Sequence, residues 1–384
     1  MLSSTTFSIT TPARVDFGDG AIHKLPDALA TAGKTRAFVV TDPGVRAAGI
    51  LDDVLAVLAS AGVDTDVFDG VEANPSLATI DRAAEAARRI DDAAVVALGG
   101  GSSLDAAKCV ALAFTNPVPA AALATLQQPN PGLPVVAVPT TAGTGAETNG
   151  FAVVEDHTNR RKVYLGHASV VPRAAILDPR LTIGLPPRAT AATGVDALVH
   201  GVESLTSRSR NPVSEAYARQ AVKLVYRWLP SAVADGGDIE ARAQLILGAH
   251  LAGLALSISG LGLVHGLAHA VTAHTGAPHG IALASVLDRV LDFNLATSTT
   301  EYAAIALDLD ISRSDDETTR ACATVAALRA FTVAVGAHTR LRDLGVDNAM
   351  VPSLTRAALA DPVTRNTPRM PTSTELTDLV NSAR

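Results

Sequence analysis

Two textures of apolar patterning divide the chain. In roughly its first half, short β-branched runs alternate with amphipathic stretches. Arg36-Ala-Phe-Val-Val-Thr-Asp42 is one such run, and others cover 63–68, 93–98 and 133–139. Runs this short and apolar suit parallel strands buried on both faces. Helical patterning fills 21–32, 45–61 and 77–90. Strands are also expected within 5–18, joined by Thr-Pro-Ala-Arg, and across 150–178, with a polar turn at 156–161. This βαβαβ rhythm predicts a doubly wound parallel sheet. After residue 182 strand-like runs cease. Ala/Leu-rich helices follow near 188–206, 213–229, 239–258, 261–274, 279–293, 298–308 and 316–340, with a short pair towards the C-terminus. The expected class is α/β plus all-α, with an N-terminal sheet domain at 1–182 and a helical domain at 183–384.

Composition narrows the function classes. A chain of 384 residues, 48% hydrophobic and 18% charged, has ample sequence for two globular domains. A net charge of −7 argues against nucleic acid or an anionic membrane as a partner. The two cysteines, Cys109 and Cys322, are far apart and give no disulfide framework. They fit a reducing compartment, so a cytoplasmic location is expected. Met1-Leu-Ser-Ser-Thr-Thr-Phe7 has no basic region or long apolar run, so no signal peptide is expected. The apolar stretch at 245–264 is interrupted by His250, Gly and Ser, which suits a buried helix better than a membrane span.

The histidines change the picture. Four of the 10, His265, His269, His274 and His279, fall within fifteen residues. On a helix His265 and His269 share a face, and His279, after Pro278, opens the next helix. Asp196 and His200 repeat the i, i+4 spacing upstream. So many polar groups in Ala/Leu/Val-rich helices would be costly to bury without a shared partner, and a divalent metal is the simplest one. A single buried histidine is ordinarily a hydrogen-bonded core residue. His274 projects to another face and reads as structural.

Glycine marks a second candidate. Gly99-Gly-Gly-Ser-Ser-Leu-Asp-Ala-Ala-Lys108 leaves a buried strand and enters a helix, where backbone can approach a phosphate and amides face it. Ser102 and Asp105 there have capping-box spacing. Thr140-Thr-Ala-Gly-Thr-Gly-Ala-Glu147, at the end of the next strand, is a further cradle for ribose or phosphate. These features together place a nucleotide on the sheet domain, metal ligands on the helical domain, and the reaction in a cleft between them.

The ordered motifs resemble the iron-containing (group III) metal-dependent alcohol dehydrogenase family over essentially the whole chain. They are Phe17-Gly18, Thr41-Asp42, Asn74-Pro75, Gly99-Gly-Gly-Ser-x-x-Asp-x-x-Lys108, Pro139-Thr-Thr-Ala-Gly-Thr-Gly-x-Glu147 and Asp178-Pro179. Asp196-x-x-x-His200, the tract from His265 to His279, Asp361-Pro362 and Asn366-x-Pro-Arg369 follow. The resemblance implies Asp196, His200, His265 and His279 as ligands of Fe(II) or Zn(II), with His269 beside the metal but not on it. It implies a nicotinamide dinucleotide with its pyrophosphate over Gly100, Gly101 and Ser102. Further contacts are implied from Asn74, Thr140, Thr141, Thr144 and Lys162, and Asp105 in the first helical turn is counted with this group.

The expected reaction is NAD-dependent interconversion of an alcohol and its aldehyde or ketone. The metal lowers the pKa of the substrate oxygen, hydride moves to or from nicotinamide, and His269 relays the proton. A packing or orienting role is the alternative for His269. Asp42 at a strand end can bind ribose hydroxyls and repel a 2′-phosphate, so NAD(H) is expected over NADP(H). Its alternative role is to cap the following helix, and Arg46 is near enough to offset its charge. Small-molecule substrates and a homodimer or higher homo-oligomer are expected. Rival readings on the same scaffold are maleylacetate-reductase-like activity, glycerol-dehydrogenase or dehydroquinate-synthase-like activity, a metal-dependent hydrolase or lyase, and a non-enzymatic nucleotide-binding protein.

Overall fold

A computed structural model describes residues 14–157 and 161–384. Its strands are β1 (Val15–Phe17), β2 (Arg36–Val40), β3 (Asp64–Phe68), β4 (Ala93–Gly99), β5 (Val135–Pro139), β6 (Phe151–Asp156), β7 (Arg161–Gly166) and β8 (Ala174–Leu177). Among them lie α1 (Leu25–Thr31), α2 (Pro43–Ala47), α3 (Ile50–Ser60), α4 (Leu77–Ala87), α5 (Gly101–Thr115) and α6 (Ala120–Leu123). Six strands form one parallel sheet in the order β1-β8-β5-β4-β2-β3.

Side chains alternate across that sheet. Phe38, Val40, Val95, Ala97, Val135 and Ala137 enter one apolar core, while Ala37, Val39, Ala94, Val96, Val136 and Val138 enter another. Both faces are covered, which is why these strands read as unbroken apolar runs. Strand order reverses at β2 and β4, since β3 lies outside β2 and β4 returns on its other side. The loops leaving the carboxyl ends of β2 and β4 therefore diverge, and ligands bind at such switch points.

Local expectations needed correction. The helix expected over 21–32 begins as a 3-10 turn, Ala21–Lys24, and becomes α-helical from Leu25. Pro26 has no amide hydrogen to donate and fits only a first turn. The single helix expected over 45–61 is α2 and α3, parted at Gly49 with φ 78°. Strands expected across 150–178 split, because β6 and β7 pair antiparallel on their own while β8 enters the main sheet between β1 and β5. Residues 1–13, with the start of the 5–18 strand expectation, and 158–160 of the polar turn lie outside the described residues.

Contacts divide the chain into compact units, Thr11–Leu185 and, in its described part, Pro186–Arg384. The second unit holds α7 (Pro187–Thr206), α8 (Pro212–Ala234), α9 (Ile239–Ser259), α10 (Leu263–Thr275), α11 (His279–Asn294), α12 (Thr299–Asp308), α13 (Glu317–Ala334), α14 (Val351–Ala360) and α15 (Ser373–Ala383). α8 continues past the expected stop at 229, through Pro230. α9 is long and apolar enough to cross a membrane, yet it packs on α7 and α8 and buries Arg242 and His250. That is the packing of a core helix.

Candidate metal centre and nucleotide turn

Helical spacing assembles the metal cluster. Asp196, His200 and Glu203 sit at i, i+4 and i+7 on α7, so one face of that helix carries all three. α10 contributes His265 and His269, and α11 begins at His279. Gly280 explains how His279 comes so near. A Cβ built there would lie 2.0 Å from the Ala192 carbonyl oxygen of α7, so only glycine permits this approach. Gly280→Ala would push the start of α11, and His279 with it, off α7.

The donor atoms converge on one oxygen. Asp196 Oδ1 lies 3.2 Å from His200 Nε2, 3.4 Å from His265 Nε2 and 3.9 Å from His279 Nε2. Donors held 2.0–2.2 Å from one tetrahedral ion stand about 3.4 Å apart, so the spacings fit a shared cation. Asp196 Oδ1 and His265 Nε2 are buried with no aligned hydrogen-bond partner. The rings of His200 and His265 stack at 4.8 Å, and His269 stacks on His279 at 5.3 Å. His279 is the least buried member, at 31% of its side chain.

The cluster's field favours positive charge. Burial works to raise the Asp196 carboxyl, but the imidazoles of His200, His265 and His279 override it and hold the group well below the usual carboxylate range. Burial works to lower His265, and carboxylates on both its nitrogens, Asp196 and Glu203, push it instead up to about 9. A divalent cation would compete for this site against that proton.

Glu203 fixes the geometry of His265. Its Oε1 accepts the Val264 amide at 2.7 Å, and its Oε2 accepts the Gly262 amide at 3.0 Å and lies 2.6 Å from His265 Nδ1. One buried carboxylate thus satisfies the first amides of α10 and holds the His265 imidazole by the nitrogen remote from the cluster. His269 has a carboxylate of its own, with Nδ1 2.9 Å from Asp361 Oδ2. His274 Nδ1 meets the Ala270 carbonyl at 2.8 Å, a local contact within α10.

The nucleotide turn is built from backbone. β4 ends at Gly99 with φ 142°, a conformation side chains rarely adopt. A Cβ at Gly101 would lie 2.6 Å from Thr144 Cγ2, and one at Gly100 would lie 3.2 Å from Thr141 Cγ2. Side chains there would fill the cradle that the turn leaves over the N-terminus of α5. The expected capping box is absent. The helix starts at Gly101, its N-cap Gly100 offers no side chain, and Ser102 Oγ instead accepts the Asn74 amide at 3.2 Å. Asp105 is turned to structural use as well, pairing with buried Lys108 at 2.9 Å and accepting the Val153 amide at 2.9 Å. The end of α5 that faces the turn therefore carries no side-chain cap, as suits a site for an anion.

Around this turn the structure gathers the other expected residues. Asn74 stands at φ 54°, and its Oδ1 accepts from Lys162 Nζ at 2.8 Å. Lys162 also pairs with Glu155 at 2.9 Å. The Thr140 amide donates to the Gly99 carbonyl at 2.9 Å. Asp42 Oδ1 accepts the Val45 amide at 3.0 Å and caps α2, while its Oδ2 accepts from Ser103 Oγ at 2.8 Å. Arg46 is paired with Asp69.

Comparison with known proteins shows the family. The profile described as iron-containing alcohol dehydrogenase matches residues 12–179, and that of the Fe-containing alcohol dehydrogenase family, C-terminal, matches residues 190–384. The chain belongs to the iron-containing alcohol dehydrogenase family. It is 36% identical to a probable alcohol dehydrogenase, EutG, of Salmonella typhimurium, over 98% of this chain and 94% of the relative. It is 33% identical to the NAD-dependent methanol dehydrogenase of Bacillus methanolicus, over 97% and 98%. The crystal structure of a 1,3-propanediol oxidoreductase superposes with a TM-score of 0.93 at 33% identity, covering 99% of this chain and all of the other.

Family membership makes this chain an oxidoreductase that interconverts alcohols and carbonyl compounds with NAD and a divalent metal. Asp196, His200, His265, His269 and His279 come together in the helical unit. The expected nucleotide residues, Asp105 apart, meet around the start of α5. Glu203 and Asp361 escaped the sequence reading as functional residues. Glu203 stood three residues after His200 on the ligand face of α7, a signal that could have found it. Asp361 is 92 positions from His269, and no local pattern links them.

Proposed function

We propose that this chain binds Fe(II) or Zn(II) through Asp196, His200, His265 and His279 and acts on small or medium aliphatic alcohols and their aldehydes, with NAD(H) preferred over NADP(H). The observation that carries the reading is the convergence of three imidazole nitrogens on Asp196 Oδ1 at 3.2–3.9 Å, where Asp196 Oδ1 and His265 Nε2 are buried with no aligned hydrogen-bond partner. A divalent ion there supplies Lewis acidity towards an alcohol oxygen. His269 takes the hydroxyl proton at Nε2, since Nδ1 is held by Asp361. The Gly100-Gly-Ser102 turn, with Thr140, Thr141, Thr144, Asn74 and Lys162, receives the cofactor's pyrophosphate and neighbouring groups.

Asp42 carries the cofactor preference. A 2′-phosphate about 4 Å from its carboxylate would meet repulsion on the order of a few kcal/mol. Arg46, four residues on, is engaged by Asp69. A cytoplasmic homodimer or larger homo-oligomer completes the reading, the location resting on the two unpaired cysteines.

Metal-free protein reconstituted anaerobically with each metal, then assayed across alcohols, diols and hydroxy acids with both cofactors, tests the proposal. Reduced-nicotinamide absorbance should appear with simple alcohols and NAD, and only after metal is added. Equal turnover in metal-free protein would end the metal reading.

A further inference from the structure

Two turns leave the carboxyl ends of β2 and β4 at the switch point, and a side-chain hydrogen bond joins them. Ser103, in the first turn of α5, is fully buried, and its Oγ donates to Asp42 Oδ2 at 2.8 Å from 61 positions away in the chain. Asp42 Oδ1 accepts the Val45 amide at 3.0 Å. The carboxylate is therefore held at one oxygen by α2 and at the other by α5. Its stem is fixed as well. The Thr41 amide donates to the Phe68 carbonyl at 2.9 Å, and the Thr41 carbonyl accepts the Val71 amide at 3.2 Å. Gly99 makes room for the bond. A Cβ there would lie 2.7 Å from Ser103 Oγ and 2.9 Å from Asp42 Oδ2, so any side chain would part the pair. Ser103 also stands at one of the unspecified positions of Gly99-Gly-Gly-Ser-x-x-Asp105, so the motif does not dictate its hydroxyl.

We infer that Ser103 is a positioning residue for cofactor choice, holding the Asp42 carboxylate in place against the 2′-phosphate of NADP(H). The inference rests on the reading of Asp42 as the group that prefers NAD(H), and adds what keeps its charge from moving aside. An aspartate held by its helix cap alone can turn about its side-chain bonds and yield to an incoming phosphate. Held at both oxygens, it yields only by losing a charge-assisted bond from a buried hydroxyl. Each of the two bonds uses one lone pair on its oxygen, so the carboxylate keeps the capacity to accept from ribose hydroxyls. The arrangement thus disfavours the phosphate without disfavouring the ribose.

Ser103→Ala removes the hydroxyl and leaves the rest of the turn. Dissociation constants for NADH and NADPH, read in zinc-loaded protein from nicotinamide fluorescence, test it without turnover. Ser103→Ala should tighten NADPH and leave NADH unchanged or weaker, moving their ratio towards NADPH by about three- to ten-fold. A merely structural role would weaken both nucleotides alike. Asp42→Asn keeps an acceptor for the Val45 amide and a partner for Ser103 Oγ but removes the charge, so it should move the ratio at least as far. Adding Ser103→Ala to Asp42→Asn should move it no further. An unchanged ratio in Ser103→Ala, or equal weakening of both nucleotides, overturns the inference, while the shift in Asp42→Asn still upholds the reading of Asp42. A full Ser103→Ala shift in the Asp42→Asn background overturns it too. An unchanged ratio in Asp42→Asn ends both. If Ser103→Ala does not fold, Ser103→Cys, which has a much weaker donor at the same place, is read in the same way.

Discussion

The two candidate sites are built by opposite means. The helical unit uses side chains. Buried carboxylates and imidazoles crowd within 4 Å of one another and would be costly to bury without a shared cation. The nucleotide turn uses the absence of side chains. Gly99, Gly100 and Gly101 bring backbone to the start of α5, and the surrounding polar groups are largely bonded to each other. Charge organises one site and shape the other. Substitutions should therefore fail differently in the two, by loss of ligand in the first and by obstruction or strain in the second.

The largest effect is expected at the oxygen on which the imidazoles converge. Asp196→Ala should abolish bound metal and activity together while far-ultraviolet dichroism stays native, because α7 is held by apolar neighbours. Full metal content in the purified variant would contradict the assignment. Glu203→Gln comes next. It keeps one oxygen to accept a single amide of α10, sets an NH2 in place of the other, and loses the charge beside His265, so metal affinity should fall about ten- to a hundred-fold by competition with a chelator. An unchanged affinity would reduce Glu203 to a helix cap.

Effects on the nucleotide turn should be smaller. Asp42→Gly should shift the ratio of NADP to NAD efficiency by roughly ten-fold or more, as removal of a few kcal/mol of repulsion allows. Since Asp42 also caps α2, a loss of about 1 kcal/mol of stability should accompany the shift. A stability loss with no change in ratio would leave only the cap. Gly101→Ala should raise the KM for NAD and cost about 1–3 kcal/mol of strain, because its methyl group meets Thr144. Thr144→Ala in the same chain should relieve the strain, read as a recovered melting temperature.

Where the sequence was legible, local periodicity carried the information. The strands β2, β4 and β5 stood out because burial on both faces leaves no polar interruption. The i, i+4 pairs on α7 and α10 were visible for the same reason in reverse, as polar groups on otherwise apolar helices. The split at Gly49 and the Ser102 cap were misread because both depend on backbone angles that residue types only bias. Asp105 had cap-like spacing, yet Lys108 and the Val153 amide claimed it. Partners distant in sequence, such as Asp361 for His269, required tertiary structure. The order of motifs along the chain carried the family, and no single one would have sufficed.

Glu203 ties two kinds of order into one carboxylate. Because the group that starts α10 also holds His265, the helix cannot slide or rotate without carrying that imidazole out of register. The site is thus bound to the scaffold by its own foundation. Transplanting these histidines onto another helix would bring the donors without the frame that aims them. A borrowed centre would need the Gly262-Leu-Val-His265 entry and the α7 carboxylate beneath it, moved as one piece.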